Sequence, residues 1–182
     1  MVNHKVKLCM LGSSGVGKSS LGRRIVSKEN IDISKIEKTI GLDFMTAYYD
    51  VNGDDVKLDV WDTSGQERFI PIIRSYFRSA DAYLLVYDVS NYVVYDDIDR
   101  WLNKLRENTE IEKPIYLVGN KIDLINSDKF DNLTKYKNFH VSVKNGTNVD
   151  DMIEYILNHI NLQPCNTIDI SQPQPKQSNK CC

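Results

Sequence analysis

Four short apolar runs, Lys5–Leu11, Lys57–Trp61, Ala82–Asp88 and Pro114–Gly119, each give way to a loop of polar residues or glycine. Runs of that length without alternation suit strands buried on both faces of a parallel sheet. Asp43–Val51 alternates less cleanly and is joined to the Lys57 run by Asn52-Gly53-Asp54-Asp55, the residue types of a tight hairpin. That pair is expected to be antiparallel, and a short run at Asn138–Val141 supplies a sixth strand. Helices are expected between strands at Lys18–Lys28, Tyr92–Asn108 and Val149–Asn161. In the last, Val149, Met152, Ile153, Ile156 and Ile160 recur at helical spacing, with Thr147 or Asn148 available as cap. The strand–helix alternation predicts an α/β fold: a mostly parallel six-stranded sheet with one antiparallel edge hairpin strand and helices on both faces.

Length and charge narrow this picture. With 182 residues the chain is one domain's worth, large enough for a core without disulfide or metal staples. A net charge of -2 and a pI near 5.9 argue against nucleic acid as a partner, which needs a basic surface. No apolar run approaches the roughly 18–20 residues that span a bilayer. Met1–Leu11 is lysine-interrupted and leads into Gly12 rather than a cleavage site, so no signal peptide is read and a reducing cytosol is expected. From Gln163 the composition shifts to three of the five prolines and four glutamines without an aromatic residue, which reads as a flexible tail.

The nine glycines are few and clustered. Gly12-Ser13-Ser14-Gly15-Val16-Gly17-Lys18-Ser19 fits the phosphate-loop pattern between a strand and a helix. Such a loop curls its N–H groups toward phosphate oxygens at a helix N-terminus, Lys18 reaches the β- and γ-phosphates, and the Ser19 hydroxyl ligates Mg²⁺. Ser14, Gly15, Val16, Gly17 and Ser20 complete the expected phosphate contacts. Asp62-Thr63-Ser64-Gly65-Gln66 follows the Lys57 strand; there Asp62 can hold Mg²⁺ through a water, Gly65 can offer its N–H to a γ-phosphate, and Gln66 can orient an attacking water. Thr39-Ile40-Gly41 can supply a second hydroxyl to the metal through Thr39. After the Pro114 strand, Asn120-Lys121-Ile122-Asp123 can read a nucleobase: a carboxylate at Asp123 is a pure acceptor that suits the adjacent N–H donors of guanine and repels adenine. Ser142-Val143-Lys144 can bring a backbone N–H to the guanine O6. These loops all lie at the carboxyl ends of strands, where open α/β sheets bind ligands.

With these motifs in this order, residues 1–162 resemble the Ras superfamily of small GTPases, with the P-loop NTPase fold, and most closely its Rab branch. The Rab-like stretches are Ile40-Gly41-Leu42-Asp43-Phe44, Trp61 to Phe69, Tyr76-Phe77-Arg78-Ser79-Ala80, Leu85-Val86-Tyr87-Asp88 and the terminal Cys181-Cys182. The resemblance implies a GTP-binding domain over 1–162 and a tail over 163–182. It implies a Mg²⁺-dependent GTP/GDP switch in which Thr39 and Gly65 grip the γ-phosphate, Gln66 is catalytic, and intrinsic hydrolysis is slow. Ile40, Gly41, Phe44, Trp61, Phe69 and Tyr76 become an effector surface, with Phe44, Trp61 and Tyr76 as its aromatic triad. It further implies an exchange factor, an activating protein, a prenylation escort, a GDP-dissociation inhibitor, and a monomer on the cytosolic face of endomembranes.

Taken without the resemblance, Cys181 and Cys182 could equally be free thiols at an exposed end; with it, both are expected to be geranylgeranylated, two lipids compensating for a weakly basic tail. Cys9 reads as core, and His4, His140 and His159 carry no metal spacing. Arg23, Arg24 and Arg68 read as surface or packing residues. The chain departs from the family in three places. No aromatic residue lies between Ser20 and Asp43, so Ile31, Ile33 or Ile36 must stand in for ring contacts to the nucleotide. Only eighteen residues separate Asp123 from Ser142, so the helix there should be short or nearly absent. Ser64 and Val143 stand where alanine is usual. Two other functions compete: a non-hydrolysing nucleotide-dependent scaffold, and an ATP-dependent phosphotransferase sharing only the phosphate loop.

Overall fold

The computed structural model describes residues 2–29, 32–33, 36–37, 39–65, 76–91, 94–109, 113–125 and 135–164. Its strands are β1 (His4–Leu11), β2 (Leu42–Val51), β3 (Asp54–Thr63), β4 (Ala82–Asp88), β5 (Ile115–Asn120), β6 (Lys137–His140) and a two-residue β7 (Gln163–Pro164). The helices are α1 (Lys18–Ser27), α2 (Val94–Asn108) and α3 (Val149–His159). The sheet runs β2-β3-β1-β4-β5-β6. All neighbours along it are parallel except β2 and β3, as the hairpin signal required. Asn52 and Gly53 both take positive φ, 56° and 92°, the geometry of a primed two-residue turn.

β1 shows why its run is apolar without alternation. Val6, Leu8 and Met10 point to one face, where α1 (Leu21, Ile25) and α3 (Met152, Ile153, Ile156) close a core. Cys9 and Leu11 point to the other, against Tyr83, Leu85 and the Ile98, Trp101, Leu102 and Leu105 stripe of α2. Both faces of the central strands are thus covered by helices, and each fully buried aliphatic or aromatic side chain contributes roughly 1.5–3 kcal/mol. Cys9 is wholly buried, and burial pushes its thiol pKa far up, consistent with a core residue.

Several boundaries differ from expectation for physical reasons. β3 runs from Asp54 through Thr63, longer than its apolar stretch, because it pairs with β2 along its whole length, Val51 opposite Asp54 and Leu42 opposite Thr63. Asp59 in its middle is charge-compensated, with Lys5 2.8 Å away, Lys57 3.6 Å, and the Thr46 hydroxyl donating at 2.8 Å. α1 ends at Ser27, where Lys28 turns left-handed (φ 57°) and its N–H closes onto the Arg24 carbonyl. Asn148 occupies the position before α3, but its side chain makes no cap; it donates instead to the His140 carbonyl at 2.8 Å. Gln163 and Pro164, read from composition as the start of the tail, pair antiparallel with Lys5 and His4. Between Asp123 and Ser142 the described residues include one 3₁₀ turn, Ile122–Leu124; residues 126–134, where the shortened helix was expected, lie outside them, as do 92–93 at the expected start of α2. Among the described residues no helix is long and apolar enough to cross a membrane.

Candidate functional site

The site is built at the carboxyl ends of β1, β3, β4 and β5. Past β1 the chain enters the phosphate loop at Gly12, whose φ of 135° and approach to β4 admit only hydrogen on Cα: a Cβ there would sit 2.1 Å from the Val86 carbonyl oxygen. Gly17 has φ 100°, and a Cβ on it would lie 2.3 Å from the Asn120 amide nitrogen. The loop therefore rests on β4 at one end and on the last residue of β5 at the other.

Lys18 is 5% exposed, and its ammonium donates to the carbonyls of Gly12 (2.8 Å) and Ser13 (2.9 Å). Burial pulls its pKa down to about 8, with the Asp62 carboxylate pulling the other way. At neutral pH it remains mostly charged. The cleft beside it, about 180 Å³, is lined by Ser14, Gly15, Ser19, Thr39 and Gly65 together with Ile33 and Ile36. Isoleucines thus occupy the flank from which aromatic residues are missing.

Three expected metal-site residues converge here. Asp62 Oδ2 accepts from the Ser19 hydroxyl at 2.5 Å and from the Thr39 hydroxyl at 2.8 Å, and the two hydroxyl oxygens are 2.7 Å apart. Burial raises the Asp62 pKa, while those hydroxyls and Lys18 pull it back. Asp62 Oδ1 is buried and has no hydrogen-bond partner among the described residues. Hard oxygens from two hydroxyls and a carboxylate, one of its atoms unpaired, are the donor chemistry a Mg²⁺ ion and its waters demand. The residues fit that ion.

The two loops that flank the phosphates also touch. The Ser64 N–H donates to the Gly41 carbonyl at 2.8 Å. Gly65 is pressed against the phosphate loop: a Cβ on it would fall 2.4 Å from the Ser14 backbone nitrogen. Ser64 is 3% exposed, so the residue that departs from alanine is enclosed rather than offered to solvent. Gln66 lies outside the described residues, as do Phe69, Cys181 and Cys182.

On the base side, Asn120 is a two-way bridge. Its amide nitrogen donates to the Val16 carbonyl at 2.9 Å, and its oxygen accepts the Val143 N–H at 3.1 Å, both bonds buried. Lys121 turns left-handed (φ 70°) and its ammonium meets Asp88 at 2.6 Å. Asp123 is exposed, with one oxygen held by the Ser142 hydroxyl at 2.6 Å. Ser142 in turn accepts the Asn145 N–H at 3.2 Å. Asn120, Asp123, Ser142 and Val143 are therefore brought together. The Val143 N–H is engaged by Asn120 and its side chain belongs to the core, 2% exposed, which explains how methyls beyond alanine fit. Lys144 is exposed beside them.

The aromatic surface is also assembled. Phe44 pairs across from Trp61 in the β2–β3 ladder, and Trp61 meets Tyr76 edge-on at 5.3 Å. Phe44 and Tyr76 are 52% and 40% exposed and Ile40 is 84% exposed, whereas Trp61, expected on the same surface, is 6% exposed and packs in the core beneath it. Of the arginines, Arg23 is exposed, Arg24 is buried and pairs with Asp150 at 3.1 Å, and Arg68 lies outside the described residues.

Three contributors were not anticipated. Asp88, at the end of β4, anchors Lys121; its place at a strand's carboxyl end, like that of Asp62, was the available signal. Thr63 ties β3 to β1 by donating to the Met10 carbonyl at 2.7 Å. Ser13 is held from α2 by Arg100 and Trp101.

Comparison with known proteins agrees with this geometry. The Ras family model matches residues 7–162. The chain is 33% identical to the Ras-related protein Rab-13 of Bos taurus over 98% of its own length and 96% of that protein's. It is 36% identical to the Ras-related protein RABA1e of Arabidopsis thaliana over 85% of this chain and 74% of the relative. Its match to the Ras-related protein rab-11.1 of Caenorhabditis elegans is 45% over 65% of this chain, and spans 55% of that protein.

Proposed function

The chain belongs to the Ras family, as a Rab-type small GTPase, and from that premise we propose that it acts in vesicle traffic as a membrane-anchored switch that hydrolyses GTP to GDP and phosphate. The observation that carries this reading is the convergence of Ser19, Thr39 and Asp62 beside the buried Lys18, with Asp62 Oδ1 left unpaired. Ser19 and Thr39 would hold Mg²⁺ directly and Asp62 would hold it through a water; when bound, the ion neutralises charge on the β- and γ-phosphates. Lys18 and the N–H groups of residues 14–20 hold those phosphates in place. Asp123, steadied by Ser142, accepts from the guanine edge, and Asn120 locks the base loop to the phosphate loop. Gln66 orients the attacking water. Thr39 and Gly65 keep their loops closed while a γ-phosphate is present, and its loss lets both relax.

Because Thr39 is hydrogen-bonded to Ser19 and Asp62, and Ile40 and Gly41 follow it directly, closure of that loop controls the exposed face of Ile40, Phe44 and Tyr76, backed by the buried Trp61, on which effectors dock. An exchange factor, an activating protein, a prenylation escort and a GDP-dissociation inhibitor complete the cycle, with Cys181 and Cys182 lipidated and the protein on the cytosolic face of an endomembrane. Single-turnover GTP hydrolysis by the wild type and by Gln66→Leu tests the reading. A slow wild-type rate that the variant lowers further supports it; equal negligible rates would favour a non-hydrolysing scaffold. Displacement of bound GDP by ATP would overturn the base assignment.

A further inference from the structure

Ser13 lies inside the phosphate loop but faces away from the cleft. Its hydroxyl oxygen accepts from Arg100 Nη2 at 2.9 Å and from Trp101 Nε1 at 3.2 Å, both on α2. Arg100 is itself oriented by Asp97, one turn earlier, at 2.6 Å. The backbone of the same serine does different work: its carbonyl accepts from the Lys18 ammonium at 2.9 Å, and its carbonyl carbon would be 2.6 Å from a Cβ on Gly65. The cavity at this junction, lined by Ser13, Val16, Ile98 and Trp101 among others, is only about 10 Å³. That is no more than the space of one water, so the contact is a seam between elements and not a ligand subsite.

We propose that Ser13 is a positioning residue for the phosphate site, clamped by Arg100 and Trp101 so that the phosphate loop keeps the shape in which Lys18 and Gly65 meet the nucleotide. A hydroxyl that accepts two donors, one from an ionised guanidinium and one from an indole on a tryptophan 2% exposed, fixes its backbone more firmly than a turn residue in solvent. α2 then acts on the phosphates without touching them: its register sets Ser13, Ser13 sets the Lys18 ammonium, and the adjoining peptide seats Gly65. The inference rests on the guanine-nucleotide reading of the site.

Release of a fluorescent GDP analogue into excess GDP, with ¹H–¹⁵N spectra of the same GDP-loaded proteins, tests it. Ser13→Ala and Arg100→Ala should each speed release about five-fold, the size expected for losing a charge-assisted hydrogen bond near the surface. Because both remove the same contact, the double variant should be no faster than the faster single one. Arg106→Ala, on the same helix but bonded to Asn103 and Tyr136, should release at the wild-type rate. The chain has two tryptophans, so the spectrum holds two indole N–H signals. Trp61 Nε1 has no hydrogen-bond partner among the described residues, whereas that of Trp101 is bonded to Ser13. Ser13→Ala should therefore shift the Trp101 signal, assigned with Trp101→Phe, and leave the Trp61 signal in place. A loss of fold stability alone would not move one indole selectively. Unchanged release, multiplicative effects in the double variant, or an unmoved Trp101 signal overturns the clamp while leaving the GTPase reading intact; failure of the wild type to retain GDP overturns both.

Discussion

Replacing Asn120 with alanine severs the only side chain that joins the phosphate loop to the base loop through two buried hydrogen bonds among the described residues. The substitution strands the Val16 carbonyl and the Val143 N–H, bonded at 2.9 and 3.1 Å in a region where Asn120 itself is 3% exposed. A buried polar group left without a partner costs about 1–3 kcal/mol, so the two together should destabilise the fold by roughly 4 kcal/mol. For a protein of this size that is roughly 8–16 °C in melting temperature, and a large share of a typical total stability of about 5–15 kcal/mol. Asn120→Asp should do no better, because its carboxylate can still accept from Val143 but turns an oxygen on the Val16 carbonyl and buries a charge. Melting must be followed at one fixed, saturating GDP concentration, since ligand binding shifts the midpoint by mass action. GDP release should accelerate in parallel, because the two halves of the site lose their common member. Asn103→Ala, which removes an exposed partner of Arg106, serves as the comparison and should change stability by less than about 0.5 kcal/mol. An Asn120→Ala protein melting within 3 °C of the wild type would refute the reasoning, since Val16 and Val143 would then have found other partners at no cost.

Gly22 sits inside α1, where a Cβ would meet the terminal methyls of Met45 and Met10 at 2.5 and 2.8 Å. Both are ends of flexible chains, so Gly22→Ala should gain about 1 kcal/mol of helix propensity and lose a similar amount in repacking, leaving the urea midpoint nearly unchanged. Gly22→Val should destabilise by about 1–3 kcal/mol, and equal midpoints for the two variants would contradict this crowding. At Asp88, burial works to raise the carboxyl pKa, but Lys121 and Ser90 outweigh it and hold the value below its ordinary level. Its contribution is therefore full above the ordinary carboxylate pKa and fades as pH falls through the depressed one, so the stability gap between wild type and Asp88→Asn should narrow below about pH 4. A gap constant from pH 6 to pH 2 would argue against it. Ile33 is 42% exposed on the rim of the phosphate cleft, and Ile33→Phe should slow GDP release several-fold by adding ring contact; an unchanged rate would remove the link between the missing aromatics and nucleotide retention.

The strand runs of β1, β4 and β5 were legible because both of their faces are buried, which leaves an uninterrupted apolar signature. The phosphate-loop pattern, Asp62 and Asn120 were legible because each belongs to a short stretch of fixed residue types and spacing directly after an apolar strand run. What escaped was set by pairing at a distance. Asp59 falls inside the run that reads as a strand, but the partners that let it stay there, Lys5 and Thr46 on neighbouring strands, were not visible. Trp101 falls on the apolar stripe of α2 and reads as core, and nothing in its spacing reveals that its indole nitrogen reaches Ser13, 88 positions away. Asn148 has the right identity and place for a cap, yet tertiary structure offered its amide the His140 carbonyl instead. β7 joins the sheet through backbone pairing, which leaves no trace in side-chain composition.

That short pairing of Gln163 and Pro164 with Lys5 and His4 gives β1 a mechanical character. The eight residues of β1 form a strut of roughly 25 Å, with β7 at its foot and Gly12 directly past its head. β3 flanks it from His4 to Met10 and β4 from Leu8 to Leu11. A pull applied at Pro164 would meet two paired residues at the foot of the strand before it reached the neighbours that flank the head. The two ends of β1 are thus held by different partners, β7 at the foot and β4 at the head, so a disturbance at Pro164 and one at Gly12 reach the sheet through separate neighbours.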